Sequence, residues 1–334
     1  MQALEFLEEY SNVALFSAMG VYAIAFVFFA VDLANRSGGS AAAASQAPSE
    51  VSAARASAGG TTTLARAAGT TAAAGGSAGT GTRSRSLRIG FALTVLGFLL
   101  HLAADVLRGV AAGRVPFSNM YEFALTATLA IVLIFIVTQF FVDLRFLGAL
   151  VLGMTVLFLG IARVNFYREI VPLPPALDSY WLVLHILVAV TAVGFLTLSF
   201  GLSVLQLLQT RREKAVKTGE SGVLRFLQGL PDAVRLEDLA YRMAILGFVF
   251  WTFTLIAGSI WAERAWSRYW GWDTKEVWTL VIWVLYAGFI HARATRGWRG
   301  TRSAWLSIIA YAAVIFNFTI VNVFFKGLHA YSGL

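Results

Sequence analysis

The stretch WLVLHILVAVTAVGFLTLSFGLSVLQLLQ, residues 181–209, has no acidic residue, no lysine or arginine, and a single histidine, His185. A helix rises about 1.5 Å per residue, so roughly 20 apolar residues cross the ~30 Å hydrocarbon core of a bilayer. This run is long enough to cross and continue beyond. Comparable runs lie near 12–33, 88–108, 119–141, 146–163, 241–261, 275–293 and 303–325. The fold class that follows is all-α: a polytopic membrane helix bundle of about eight transmembrane helices. Composition agrees, at 58% hydrophobic and 13% charged residues with a mean hydropathy of +0.72. The chain has no cysteine, which excludes a disulfide framework, a thiolate metal site or a thiol relay within it. The net charge of +8 does not call for nucleic acid, because basic residues in a membrane protein mainly set orientation; membrane lipid is the expected surrounding.

The opening MQALEFLEEY carries Glu5, Glu8 and Glu9 where a cleaved signal would have a basic region, so residues 1–35 are read as a retained transmembrane anchor. Residues 36–87 are nearly all Ala, Gly, Ser and Thr with scattered Arg, and lack the apolar mass to offset chain ordering. They predict a disordered cytoplasmic linker, followed by a membrane domain over 88–334. An external N-terminus puts 18 of the 26 Lys and Arg residues in cytoplasmic segments, among them Arg293, Arg296, Arg299 and Arg302 of HARATRGWRGTR. Segments 109–118, 163–180 and 262–275 are then external, as is the C-terminus. In the 210–240 loop, LRFLQGL reads equally as a membrane-surface helix or as solvated loop.

The histidines sort by depth. His185 lies about one turn inside the outer end of the fifth span, and His329 just past the outer end of the eighth. Both fall near the segment 261–278, which holds Trp261, Trp266, Trp270, Trp272 and Trp278, half of the ten tryptophans. An interfacial aromatic belt would spread tryptophan over many helix ends. Crowding in one loop favours stacking on a flat ligand. Arg264, Arg268 and Lys275 are interleaved and suit carboxylates, while two imidazoles beside an aromatic shelf suit bis-axial ligation of a haem iron. Asp273 and Glu276 of DTKE fit a capping box that starts the seventh span, with a direct catalytic role for Asp273 as the alternative. His291 lies roughly 27 Å inward of Asp273, at the cytoplasmic end, and reads either as a ligand or as an interfacial residue. His101, four residues before Asp105 on one helical face, reads either as a hydrogen-bonded core residue or as a ligand.

WSRYWGWDTKEVW, residues 266–278, resembles the tryptophan-rich WWD signature of haem-handling proteins. It is most similar to the CcsA/ResC type, called CcsB in actinobacteria, of system II cytochrome c biogenesis. The system I sisters CcmC and CcmF continue differently after Trp-Asp, whereas WDTKE is close to the CcsA-type WDPKE. Thr274 replaces the usual proline and still suits a first helical turn. VPFSNMYE at 115–122 and KGLHAYSG at 326–333 agree in order, and the resemblance covers the chain from about residue 88 onward.

The resemblance implies that His185 and His329 ligate an external haem iron, and that His291 ligates an inner one. It implies haem b as substrate, apocytochrome c as acceptor, and a ResB-type membrane protein as partner, together forming a holocytochrome c synthase, or haem lyase. Haem would travel from the inner site to the WWD segment for thioether attachment to a Cys-x-x-Cys-His sequence. The second ligand of the inner site is attributed in the family to the partner, which leaves His101 open. The rival readings are a transporter of haem, or of another amphipathic anion, without ligation chemistry, and a membrane cytochrome passing electrons.

Overall fold

A computed structural model describes residues 2–45, 85–173, 177–220, 224–295, 297–325 and 327–328, with side chains of the first helix described over 5–35. Among the described residues there is no strand, and eight helical segments are long and apolar enough to cross a membrane. The helices are α1 (Gln2–Ser45), α2 (Arg85–Ala112), α3 (Met120–Thr138), α4 (Gly148–Asn165), α5 (Tyr180–Lys217), α6 (Ala233–Trp266), α7 (Thr274–Ala294), α8 (Thr301–Phe318) and α9 (Ile320–Phe324). The eighth run is thus broken at Thr319 into α8 and the short α9. The first helix continues to Ser45 and α2 begins at Arg85, so helix enters both ends of the segment read as linker. Its residues 46–84 lie outside the described residues.

Two packing units share α3. The larger core joins α3, α5, α6, α7 and α8 through Phe135, Leu196, Leu202, Trp251, Ile282, Tyr286 and Val314. The smaller joins α1, α2, α3 and α4 through Leu15, Tyr22, Phe29, Tyr121 and Leu152. Lipid tails are as apolar as leucine, so helices in a bilayer gain from close backbone approach and from hydrogen bonds between them. Gly97 of α2 shows the first: a Cβ there would stand 2.6 Å from the Tyr22 ring of α1. The second ties α5 to α8, where the Thr197 and Tyr311 hydroxyls lie 2.8 Å apart and those of Ser199 and Ser307 3.3 Å apart.

Charges collect at the two ends. At the end of the bundle that carries the α2–α3 loop, Arg108, 1% exposed, meets Glu8 at 2.7 Å and Glu122 at 3.3 Å, and donates to the Arg168 carbonyl at 2.6 Å. Glu122, itself fully buried, also pairs with Arg114 at 2.8 Å and accepts from the Ser118 amide at 2.9 Å. Asn119 caps α3 by accepting from the Glu122 amide at 2.9 Å. The VPFSNMYE motif is therefore a helix start welded to a buried ion network, which fixes the 115–122 loop against α1 and α2. At the opposite end Arg293 pairs with Glu237 at 2.7 Å and Asp238 at 2.6 Å, so it braces α7 against α6. LRFLQGL forms a short helical turn that is anchored by Leu227 and Leu230, buried in the main core, and leaves Arg225, Phe226 and Gln228 exposed.

Removing one member of a buried ion network strands its partners, at a cost of about 3–5 kcal/mol, whereas an exposed pair contributes about 1 kcal/mol or less. Glu122→Ala is therefore expected to lower the thermal unfolding midpoint in detergent sharply. Asp143→Ala, which breaks the more exposed pair with Arg145, is expected to leave it nearly unchanged.

Candidate functional site

The segment between α6 and α7 is shaped by two helix ends. The helix α6 stops at Ser267, whose left-handed backbone (φ 55°) lets its amide donate back to the Glu263 carbonyl at 2.7 Å. Trp272 is also left-handed (φ 60°), a strained conformation for a bulky residue that costs on the order of 1–3 kcal/mol. The capping box of DTKE is present in both halves. Asp273 Oδ1 accepts from the Lys275 amide at 2.8 Å, and Glu276 Oε2 accepts from the amides of Asp273 at 3.1 Å and Gly271 at 2.7 Å. Glu276 thereby draws the tryptophan loop down onto the helix it begins.

Below this loop, His185 of α5 lines two adjoining cavities. One is walled by Trp251, Thr254, Tyr269, Trp270, Lys275 and Asn317 among others. The second is walled by Phe117 and Asn119 of the 115–122 loop, by Leu182 and Trp261, and by Lys275 and Asn322. The His185 ring lies nearly parallel to Trp261 at 6.0 Å. Its Nδ1 is 2.9 Å from the Thr254 carbonyl, which can only accept, so Nδ1 carries the proton and Nε2 the lone pair. That bond is the usual way a histidine ligand is oriented and made more basic. Helix α6 comes close enough because residue 258 is glycine: a Cβ there would meet His185 Cε1 at 2.8 Å.

The remaining predicted residues divide. Trp270 and Tyr269 line the first of these cavities, whereas Trp272 is 73% exposed and stands edge-on to Trp270 at 6.0 Å. Trp266 packs against Trp261 at 4.8 Å, and Trp278 against Phe316 at 4.3 Å. Arg264 is exposed, 5.9 Å from the Tyr180 ring. Arg268 folds over Gly271 so closely that a Cβ there would overlap its guanidinium. Lys275 Nζ donates to the Asn317 carbonyl at 3.4 Å and to Asn322 Oδ1, and lies over the Phe318 ring at 5.1 Å. Asp273 Oδ2 accepts from the Leu328 amide at 2.8 Å. His291 is exposed in the last turn of α7. His101 is fully buried with Nδ1 3.4 Å from the Tyr22 hydroxyl and its ring edge-on to Tyr22. His329 lies outside the described residues.

Several site residues went unnoticed in the sequence. Asn317 is fully buried, lines the His185 cavity, and has both side-chain amide atoms without a protein partner among the described residues. Glu276 Oε1 in the same cavity is likewise unpartnered. A buried amide left open at both ends is costly in itself and fits a polar ligand group that completes its bonding. The signal was available in FNFTIVNVFF, residues 316–325, where two asparagines interrupt an apolar span. Thr254 and Gly258 carried no such signal, since their roles depend on which helix faces His185.

Among the described residues no group of three or more His, Asp or Glu is placed to hold a bare metal ion. One oriented imidazole, flat indole and phenol walls, an open amide and a cation instead suit a planar complex whose metal already has equatorial ligands. A cytochrome c assembly protein model matches residues 117–329, the span that contributes the 115–122 loop, His185, the WWD segment and the α8–α9 limb. This chain belongs to the CcsA-type family of cytochrome c assembly proteins. Cytochrome c biogenesis protein CcsA of Synechococcus elongatus is 34% identical over 283 residues, covering 73% of this chain and 87% of its own length. The CcsA proteins of Trieres chinensis (30% over 280 residues, 72% and 88%) and Guillardia theta (30% over 261 residues, 74% and 86%) are similar over the same extent. A CcsA-type chain with these spans is a multi-pass membrane protein.

Gly258→Ala is expected to push the His185 ring off the Thr254 carbonyl. The ¹⁵N chemical shifts of the ring should then move from a fixed Nδ1-protonated tautomer toward a mixture, while the helical content stays unchanged.

Proposed function

We propose that this chain is the membrane component of cytochrome c biogenesis that binds haem b and presents it, at the external WWD segment, for attachment to apocytochrome c with a ResB-type partner. The observation that supports this most is the setting of His185. Its proton is committed to Thr254, its cavities are walled by the 115–122 loop, the WWD segment and the α8–α9 limb, and an open amide lies on the cavity wall.

In this reading His185 Nε2 and His329 would hold the iron, and Trp270 and Tyr269 would align the ring. Asn317 and the nearby cations Arg268 and Arg264 meet the propionates, leaving the vinyl edge toward the acceptor. Lys275 contributes positive charge to the same wall while bonded to Asn317 and Asn322. Each acceptor thiol adds across a vinyl double bond: an S–C bond forms, the S–H bond breaks, and the proton passes to the other vinyl carbon. The cysteine-free chain supplies no sulfur and acts by positioning. Replacement of one protein histidine by the acceptor's own histidine releases the product. His291, exposed at the opposite end of α7, is the inner haem ligand, open to a ligand from the partner.

His185→Ala combined with His329→Ala is expected to abolish the external haem absorption of the purified complex, and imidazole added to the buffer to restore it in part. An unchanged spectrum in the double variant overturns the site. Asn317→Leu, which fills the same space without an amide, is expected to weaken haem retention about tenfold, the scale of one hydrogen bond to a charged group.

The second reading, haem transport without ligation, draws support from the separation of His291 at the inner end from His185 at the outer end of the bundle. Coexpression with an apocytochrome in cells lacking other synthases separates the two. Thioether-linked haem on the acceptor, retained after acid-acetone extraction, marks ligation, and extractable haem alone marks transport.

A further inference from the structure

Asn317 and Asn322 lie on either side of the break at Thr319 between α8 and α9, and their side chains have opposite duties. Two main-chain carbonyls at the break accept from side chains: that of Asn317 from Lys275 Nζ at 3.4 Å, and that of Phe318 from Asn322 Nδ2 at 3.0 Å. Asn322 Oδ1 accepts in turn from the same ammonium, so this amide is bonded at both ends. The Asn317 amide lines the His185 cavity with neither atom partnered among the described residues. Phe318 lies under the ammonium at 5.1 Å, stacks on Phe123 of α3 at 4.8 Å, and borders both His185 cavities. From the first turn of α7, Lys275 therefore ties both sides of the break.

A helix break in an apolar span leaves carbonyls in need of donors, and an ammonium drawn out of water needs acceptors. Each meets the other's requirement here. We infer that Lys275 is a positioning residue: it holds the α8–α9 break and thereby aims the open Asn317 amide at the ligand of the His185 cavities, so that this wall meets the ligand through a neutral amide. The inference rests on the external haem site proposed above. The rival role, a direct ion pair between Lys275 and a haem carboxylate, would draw the ammonium away from Asn317 and Asn322 and strand their acceptors in apolar surroundings.

The test uses the full chain, coexpressed with its partner, as wild type, Lys275→Met, Asn322→Leu, Asn317→Leu and the combined Lys275→Met and Asn317→Leu. In haem-free protein, Lys275→Met and Asn322→Leu are each expected to speed amide hydrogen exchange of the peptide covering residues 317–325 by about tenfold, the scale of one lost hydrogen bond to a charged group. In haem-loaded protein each is expected to weaken retention about as much as Asn317→Leu does. The combined variant is expected to lose no more than either single one, because both act through one amide. Haem with both carboxylates esterified should also be held less tightly by Lys275→Met. A direct ion pair reverses these results: Asn322→Leu retains haem as wild type does, the combined variant loses the product of the two single effects, and retention of the ester is indifferent to Lys275→Met. Any of those three, or wild-type exchange in Lys275→Met and Asn322→Leu, overturns the inference. If Lys275→Met does not fold, Asn322→Leu, which keeps the ammonium, decides by its exchange and retention. Wild-type retention in Asn317→Leu, with absorption changed in His185→Ala, overturns the inference and spares the haem site. Wild-type behaviour in both overturns the haem site, and the positioning role with it.

Discussion

The bilayer interior offers no hydrogen-bond partners, and most of this structure is a response to that fact. Helices satisfy the backbone internally. Among the described residues many hydroxyls in the spans bond back to their own helix, as Thr94 does to Gly90 and Thr155 to Val151, while others bond across a helix seam or collect with charges at the two ends. Thr197 with Tyr311 and Ser199 with Ser307 bond across a seam. The Arg108–Glu122–Arg114 cluster at one end and Arg293–Glu237 at the other hold the loops in register with the helices. Against this background Asn317 stands out, since it is buried and open at both ends of its amide.

The external site is therefore a local exception to the rule that shapes the rest. Its walls are built by the ends of helices that pack elsewhere for ordinary reasons. The long pair α5 and α6 brings His185 against Thr254, with Gly258 giving the ring room. The capping box at Asp273 pulls the tryptophan loop onto α7, and Lys275 and Asp273 together gather the α8–α9 limb. One helical turn, Asp273 to Glu276, thus orders the loop before it and the chain segment that follows 40 to 55 residues later. Asp273 is a joint between α7 and the chain at Leu328.

The tryptophans illustrate the difference between a composition and an arrangement. Crowding in 261–278 announced an aromatic site, yet the six aromatic rings there have separate duties. Trp261 and Trp266 pack in an apolar cluster with Phe117 and Leu182, Trp278 packs on α8, and Trp270 with Tyr269 borders the His185 cavity. Trp272 projects outward on a strained backbone.

Hydropathy alone was enough to read the all-helical bundle and its eight spans, because the cost of exposing polar backbone to lipid leaves a run of some 20 apolar residues few alternatives. The capping box was equally legible, since a cap acts within four residues of chain. The family followed from three short motifs. The break at Thr319, the anchoring of LRFLQGL, the pairing of Arg293 with α6, and the roles of Thr254, Gly258, Asn317 and Leu328 were decided by tertiary structure. Each of these depends on which helix faces which, and that is set by packing between segments far apart in the chain. Local spacing could place His185 and Asp273 at the outer surface, but only the assembled bundle decided what each of them touches.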